Sequence, residues 1–316
     1  MSDYIEQFFA ECKKKNLEFL RDISPEHKVW DDVKENSESI ALAYSSNESL
    51  TSYGEKVSAC SSFVILNFYQ SESEIIRRIN SWKCRIRHCP ICQRARSLNL
   101  QRQLSNALAL LTADYPKYRW VFLTLTVPNC DIHDLGICLS NMNKAWQRLI
   151  KRKELSIIKG WMRSTEVTKG KSKDNTAHPH FHALMLVPSY YFSGNKYIKQ
   201  EVWSELWKSC MKLDVMPVVD VRTVKSLEGG LKEVVKVAHY SLKPSEVVDS
   251  PEWFTTYHEQ VSGKRFLSTG GLVKDYLKAI NLDEVSEDED DVEEETEILL
   301  GGVLFNWNKI VKRYKK

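Results

Sequence analysis

The stretch His178-Pro179-His180-Phe181-His182-Ala183-Leu184-Met185-Leu186-Val187 places three histidines at alternate positions, directly before an apolar segment. This pattern predicts a β-strand, on which every second side chain points to the same face. His178, His180 and His182 are therefore expected to lie side by side. Neutral imidazole is a common metal ligand, and two ligands on one rigid strand form half of a metal site. The histidines could instead only cap the strand end, but three at this spacing favour a metal-binding or phosphate-handling role.

The length and composition predict a soluble, cytoplasmic protein. At 316 residues the chain can bury the core of one large domain or two smaller ones. It has no run of roughly 18 apolar residues that could span a membrane, and its start, Met1-Ser2-Asp3-Tyr4-Ile5-Glu6, lacks the pattern of a secretory signal. Its eight cysteines are thus expected in a reducing compartment, where clustered thiols indicate metal binding more often than disulfides.

The charge is distributed unevenly along the chain. The net charge is +3, but 11 acidic and no basic residues lie between Asp283 and Glu297, and 5 basic and no acidic residues follow. Residues 1–282 therefore carry about +9. A basic body favours a polyanionic partner, and the acidic tract is predicted to be a solvated, disordered segment rather than an autoinhibitory one.

Four cysteines could form a structural zinc site. Three lie in Cys84-x4-Cys89-Pro90-x-Cys92, and Cys60 precedes a strand-like segment at residues 63–68. A Cys-x2-Cys knuckle with two further thiolates suits a closed, tetrahedral Zn²⁺ site. His88 is an alternative fourth ligand, although its position before Cys89 would strain it, and a reduced cluster without metal is the other interpretation. The remaining cysteines are expected to be packing residues: Cys12, Cys130, Cys138 and Cys210.

Basic residues surround this cysteine motif. Residues 94–111 have helical periodicity, with leucines between Leu100 and Leu111 on one side and arginines outside that stripe. A solvated helix face would also explain the arginines, but their density beside a metal knuckle favours contacts with DNA phosphates. The candidate DNA-binding residues are Arg85, Arg87, Arg94, Arg96 and Arg102, with Lys83 among them.

The segments after residue 114 alternate in a way that predicts the fold. Strands are expected at residues 119–127, 160–168, 180–187 and 215–224, and helices at 133–153, 200–213 and 231–242. The order β-α-β-β-α-β-α contains a ferredoxin-like β-α-β-β-α-β unit, an α+β fold with an antiparallel sheet. In that topology the first and third strands are neighbours, which places Thr124 and Thr126 beside His180 and His182.

Two further residues have a position suited to chemistry. Glu166 differs from both His180 and His182 by an even number, so a hairpin paired in simple register allows it to share their face and ligand their metal. Tyr240 lies three residues before Lys243 on the predicted last helix, so the cation could stabilise a phenolate. A helical tyrosine is more often a packing residue, and spacing alone does not assign it to catalysis.

Taken together, these motifs resemble those of the rolling-circle plasmid replication initiators of the Rep class 1 family, in the HUH endonuclease superfamily. The resemblance covers roughly residues 58–250, weakens to about 310, and leaves out the first 50. Glu166-Val167-Thr168, the segment 59–64 and the knuckle from Cys84 to Cys92 are similar to family features. Three motifs match in the family's order: Phe122-Leu123-Thr124-Leu125-Thr126, His178-Pro179-His180-Phe181-His182 and His239-Tyr240-Ser241-Leu242-Lys243.

The resemblance implies a metal-dependent, site-specific endonuclease and strand transferase. His180 and His182 match the paired histidines that hold Mg²⁺ or Mn²⁺, Glu166 is the third ligand, and Tyr240 is the nucleophile. It would nick one strand at a plasmid double-strand origin, presented as single-stranded or hairpin DNA, and leave a 5′-phosphotyrosyl link and a free 3′-hydroxyl. It would rejoin strands at termination, and a host helicase and DNA polymerase are the implied partners.

One position departs from the family pattern. Some relatives carry a glutamate four residues before the tyrosine, where it activates water to end replication, but this chain has Lys236 there. Glu233, seven residues before Tyr240, lies on the same helix face after two turns and is a candidate substitute.

Other functions remain open at the sequence level. An HUH transposase or mobilisation relaxase would use the same metal ligands and tyrosine nucleophile. Only the cysteine motif and the order of the motifs favour a replication protein. A zinc-stabilised DNA-binding regulator without catalysis would not need the histidines or Tyr240. A metallohydrolase would use the histidines and Glu166 with a water nucleophile.

The expected domain organisation follows the composition. Ile5, Phe8, Phe9, Cys12 and Phe19 predict an early amphipathic helix, and the Ser, Glu and Asn-rich residues 37–52 predict a loop or linker. The predicted parts are an N-terminal helical and linker region (1–55), a zinc module with its basic helix (56–113), a catalytic domain (114–282), the disordered acidic tract (283–298) and a basic C-terminal segment (299–316).

Overall fold

The computed structural model describes residues 3–71, 74–170, 175–193, 196–224, 229, 247, 250–279 and 298–316. The chain divides into two compact units, which are residues 1–95 with 288–316 and residues 96–287. Among the described helices, none has the length and apolar composition to cross a membrane. The domain boundaries expected from composition remain predictions.

The first unit begins with four helices. They are α1 (Asp3–Lys14), α2 (Leu20–Ile23), α3 (Val29–Ser45) and α4 (Thr51–Ala59), with short 3-10 helices at Pro25–His27 and Glu48–Leu50. The early amphipathic helix is confirmed, since Ile5 and Cys12 of α1 are buried, although the helix ends before Phe19. The loop expected at residues 37–52 is wrong. Most of it is helical because Ile40 and Tyr44 are buried in spite of the polar residues around them.

A four-stranded sheet completes the first unit. Its order is β10-β9-β1-β2, with β1 (Phe63–Gln70), β2 (Ile75–Asn80), β9 (Ile298–Asn308) and β10 (Arg313–Lys315), and every pair is antiparallel. The segment predicted only as basic, 299–316, therefore supplies two strands. Their inward side chains Phe305 and Tyr314 share a core with Val64 and Phe68.

The second unit contains the predicted antiparallel sheet. The strands β3 (Tyr118–Thr126), β4 (Cys130–Asp131), β5 (Gly160–Lys169), β6 (Thr176–Pro188), β7 (Val219–Thr223) and β8 (Leu267–Gly271) form the order β7-β3-β6-β5-β8, with β4 paired to β6. The four predicted strands are confirmed within a few residues. So is the neighbourhood of the first and third, because β3 pairs directly with β6.

Helices cover both faces of this sheet. They are α6 (Leu135–Leu149), α7 (Gln200–Met211), α8 (Pro251–Val261) and α9 (Leu272–Ala279), together with α5 (Pro90–Asp114), which starts in the first unit and ends in the second. The helix expected at 231–242 and the acidic tract at 283–297 lie outside the described residues, whereas Ile298 begins β9.

The alternation of side chains divides the sheet into two different faces. Trp146 of α6 and Trp207 of α7 pack on Phe181, which points away from the histidines. On the other face, Leu104 and its neighbours in the leucine stripe of α5 form one apolar cluster with Phe122 and Leu184. His180 and His182 continue that second face along β6, beyond the apolar cluster.

Candidate functional site

The predicted hairpin brings a carboxylate and two imidazoles together. In the register of β5 and β6, Glu166 lies directly opposite His180, as the parity of their positions allowed. The Oε2 atom of Glu166 contacts Nε2 of His180 and lies 2.9 Å from Nε2 of His182. The three residues offer ligand atoms that all lie within 4.8 Å of one another. This group, called here the Glu-His-His group, could hold a metal ion.

The second nitrogen of each imidazole is also engaged. Nδ1 of His182 lies 3.2 Å from Oγ1 of Thr124, which is its partner on β3. Nδ1 of His180 lies 3.2 Å from the carbonyl oxygen of His178. A carbonyl only accepts, so Nδ1 of His180 is the donor in this contact, which fixes the orientation of the ring. The sequence placed Thr124 beside the histidines but did not assign it this contact.

The electrostatics keep the carboxylate ionised. Burial raises the pKa of Glu166, but the hydrogen bonds from His180 and His182 outweigh burial and lower its pKa to about 2. The side chains of His180, His182 and Glu166 are 12%, 14% and 24% exposed, so solvent reaches the group. An anionic oxygen between two imidazoles at an accessible sheet face is a suitable setting for a divalent cation.

His178 does not belong to this group. Its Nδ1 lies 2.7 Å from Oδ1 of Asn129, and the pair is exposed to solvent. The alternate spacing was therefore a correct guide to the face but not to the number of candidate ligands.

The four predicted cysteines also meet. Cys60 follows α4, Cys84 lies in the loop after β2, and Cys89 and Cys92 are at the start of α5. The sulfur of Cys92 lies 3.8 Å from that of Cys60 and 3.7 Å from that of Cys84, and all four sulfurs lie within 4.8 Å of one another. This set, called here the four-cysteine group, could also bind a metal ion.

The surroundings of the four-cysteine group favour negative charge on sulfur. Backbone amides of Cys84 and Arg85 each lie 3.3 Å from a cysteine sulfur, of Cys60 and Cys92 respectively. Thiol hydrogen bonds from Cys60 and Cys84 hold the pKa of Cys89 well below its ordinary value, while hydrogen bonds with Cys84 and Cys89 raise the pKa of Cys60, which stays a thiol. The group is therefore disposed to be partly thiolate, the form that binds metals.

The other predicted residues divide between the two units. Arg85, Arg87 and Arg94 belong to the first unit and Arg96 and Arg102 to the second, so the neighbourhood expected from sequence spans both. Tyr240, Lys243 and Glu233 lie outside the described residues, and their catalytic roles remain predictions.

Two cysteines expected to be packing residues interact with each other. A hydrogen bond from the Cys138 thiol lowers the pKa of Cys130 and raises that of Cys138. They lie on α6 and β4, eight positions apart, and no spacing signal in the sequence distinguished them.

Comparisons with known proteins identify the class of protein. A family model described as Replication protein matches residues 76–315, which is most of the chain. The chain therefore belongs to this replication protein family, as its motifs predicted.

The curated relatives carry matching names. "Protein rep" of Streptococcus pneumoniae serotype 2 is 32% identical over 273 residues, which cover 82% of this chain and 83% of the relative. "Protein rep" of Bacillus amyloliquefaciens is 32% identical over 258 residues, 73% of this chain and 75% of the relative. "Replication protein" of Staphylococcus aureus is 32% identical over 200 residues, 58% of this chain and 83% of the relative. No solved structure gives a significant match.

Proposed function

We propose that this protein initiates rolling-circle replication of a plasmid by nicking one DNA strand at the double-strand origin. The observation that carries the proposal is the Glu-His-His group on one face of the sheet, in a chain that belongs to a replication protein family. The sheet order β7-β3-β6-β5, all antiparallel, supports a ferredoxin-like core of the HUH endonuclease type.

The donor atoms support different ions at the two groups. Two imidazoles and one carboxylate, with solvent access, suit a divalent cation that keeps open coordination positions, and we assign Mg²⁺ or Mn²⁺ to the Glu-His-His group. Four sulfurs suit Zn²⁺, because sulfurs at the corners of a tetrahedron with Zn–S bonds of about 2.3 Å lie about 3.8 Å apart. The observed separations of 3.7 and 3.8 Å agree with that geometry. We therefore assign a structural role to the four-cysteine group.

The chemistry divides between the ion and the protein. A bound Mg²⁺ or Mn²⁺ would polarise the scissile phosphate. Glu166, His180 and His182 hold and orient the site, and Tyr240 attacks the phosphorus. The phenol loses its proton, its oxygen bonds to phosphorus, and the bond to the 3′ oxygen breaks as that oxygen takes up a proton. The products are a 5′-phosphotyrosyl link and a 3′-hydroxyl for a host polymerase.

Three further assignments follow from this scheme. Lys243 stabilises the phenolate of Tyr240 electrostatically. The 5′-phosphotyrosyl ester keeps the energy of the broken bond, so the same site rejoins strands at termination, and we assign to Glu233 the carboxylate role of activating water to end replication. A host helicase separates the parental strands ahead of the polymerase, and the arginines near the four-cysteine group contact phosphates.

The proposal is tested by trapping the covalent intermediate. The full chain is incubated with single-stranded origin DNA and Mn²⁺ and separated by denaturing electrophoresis. We expect a protein–DNA adduct that Tyr240→Phe abolishes and that Tyr190→Phe, a change at an exposed tyrosine, leaves intact.

Other outcomes assign other functions. Cleavage without an adduct would indicate a hydrolase with a water nucleophile. Binding without cleavage would indicate a non-catalytic regulator. Strand transfer between unrelated sites, without origin dependence, would indicate a transposase or relaxase.

A further inference from the structure

The loop between β2 and α5 has no regular secondary structure, yet its backbone is held at several points. This loop, residues 81–88, is called here the knuckle loop. Its Trp82 carbonyl accepts hydrogen bonds from the backbone N–H of Ser61, at 2.9 Å, and from the Ser61 hydroxyl, at 3.2 Å. The amides of Cys84 and Arg85 point to sulfurs of the four-cysteine group. The knuckle loop is therefore fixed from both the serine and the sulfur side.

The rigid backbone presents an aromatic ring to solvent. Trp82 is 52% exposed, whereas the other eight tryptophans, all within the described residues, are buried or half-buried. A half-exposed indole loses the favourable burial that most large apolar side chains gain on folding. Its exposure on a fixed loop is typical of a contact surface for a partner.

Cations follow the indole directly. Lys83, Arg85 and Arg87 lie within five residues of Trp82, and no acidic residue occurs in the knuckle loop. Arg85 is exposed and has φ of 60°, a left-handed conformation that is uncommon for a residue other than glycine. Such conformations are unfavourable for a residue with a side chain and are concentrated at ligand-binding sites.

We infer that the knuckle loop binds single-stranded DNA, with an unpaired base stacked on Trp82 and flanking phosphates held by Lys83, Arg85 and Arg87. The positive charge favours a polyanion. The indole face can stack on a nucleic-acid base, a contact that a phosphate group cannot make. Base faces are accessible in a single strand and hidden by stacking in a duplex. This inference rests on the proposal that the protein acts on DNA, but it does not depend on nicking.

The inference is tested by the binding of fluorescein-labelled oligothymidine to the full chain, measured by fluorescence anisotropy without divalent ions. We expect Trp82→Ala and Trp82→Leu to weaken binding about tenfold, within the range for loss of one base stack. Trp82→Phe should keep most of the affinity, because it keeps an aromatic face. Leu42→Ala, at a 73% exposed apolar position of the same unit, is the matched control and should have no effect.

A second probe separates stacking from charge. An oligonucleotide of abasic sites has the phosphates but no bases, so Trp82→Leu should not weaken its binding further. Arg85→Ala should weaken both probes and reduce the salt dependence by a slope of about 0.7, the value for one phosphate contact in a single strand.

Several results would overturn the inference. Wild-type affinity in Trp82→Leu, or an equal loss on a blunt duplex and on oligothymidine, would exclude base stacking at this residue. Zinc content and the thermal melt are measured for each variant, and the Phe and Leu variants, which both keep a large apolar side chain, decide the question if the Ala variant fails to fold. An unchanged Tyr240 adduct with no Trp82 effect would leave the proposed nicking function intact. If no Tyr240 adduct formed but Trp82→Leu weakened oligothymidine binding, the nicking proposal would be wrong and the inferred binding surface would stand.

Discussion

The two metal-binding candidates are built in opposite ways. The Glu-His-His group comes from two adjacent strands of one hairpin, its donors are oxygen and nitrogen, and solvent reaches it. The four-cysteine group comes from a helix end, a loop and the start of another helix, and Cys60, Cys89 and Cys92 are at most 3% exposed. A sheet positions every donor of the first group without an ion, whereas none of the four cysteines of the second group lies on a described strand. The difference teaches that the first is suited to chemistry and the second to stability.

Loss of a sulfur should have the largest effect. Cys89→Ser is expected to remove the metal from the four-cysteine group and to destabilise the first unit by several kcal/mol, because binding of a structural zinc ion stabilises small domains by about 10–16 kcal/mol. Zinc content and thermal unfolding are the measurements.

The control for this variant lies in the same unit. Cys12→Ala removes another buried thiol and should keep full zinc content, with a loss of about 1 kcal/mol. A Cys89→Ser protein that kept its melting temperature would contradict the structural role of the four-cysteine group.

Loss of the carboxylate should have a large effect on ion binding and little on folding. Glu166→Gln is expected to weaken Mn²⁺ binding by at least about a hundredfold. Loss of a residue that only supports a ligand already costs about 10- to 100-fold in metal affinity, and Glu166 supplies a ligand atom itself. Titration calorimetry gives the affinity and a thermal melt gives the stability. Glu201→Gln, at an exposed position of α7, should change neither. If Glu166→Gln unfolded the protein, the contrast between the two groups would be wrong.

A hydroxyl beside the four-cysteine group should affect stability alone. Tyr314 is fully buried and donates a hydrogen bond of 2.6 Å to the carbonyl of Ser61, next to Cys60. Tyr314→Phe leaves that carbonyl without this donor and should cost about 1–3 kcal/mol of unfolding free energy. Chemical denaturation measures the loss, and Tyr190→Phe should show none. Weaker Mn²⁺ binding in Tyr314→Phe would be inconsistent with two separate roles.

The smallest effect should come from Thr124, a positioning residue for His182. Thr124→Val keeps the shape but removes the hydroxyl, so His182 loses the contact that fixes its ring. We expect Mn²⁺ binding about tenfold weaker, and recovery in Thr124→Ser. Equal affinities for the Val and Ser variants would show that the hydroxyl has no such role.

The sequence predicted the Glu-His-His group better than its surroundings. The alternation of side chains along β6 and the even separation from Glu166 are local properties. The register of β5 and β6 then places Glu166 directly opposite His180. Asn129 and its contact with His178 depend on a turn whose path is not visible in the sequence.

The first unit was less predictable because its partners are far apart in the chain. Ser37 lies in a polar stretch that favours a loop, yet its hydroxyl is buried against the carbonyl of Val57 and the sulfur of Cys89. The strand β9 pairs with β1 across more than 200 positions, with an irregularity at Phe68 and Tyr69, and no local pattern specifies such a partner. Tertiary packing, rather than local propensity, determines these elements.

The pairing of β9 and β10 also sets an order of events during synthesis. The backbone amide of Tyr314 donates to the carboxylate of Asp31, 283 positions earlier, and Lys315 forms a β-bridge with Phe19, so segments far apart in the sequence must meet to finish this sheet. A ribosome releases residues in sequence, and domains form as they emerge. The strand β1 therefore waits, paired only with β2, until residues 298–308 have been translated, while the sheet that carries the histidines is already free to form.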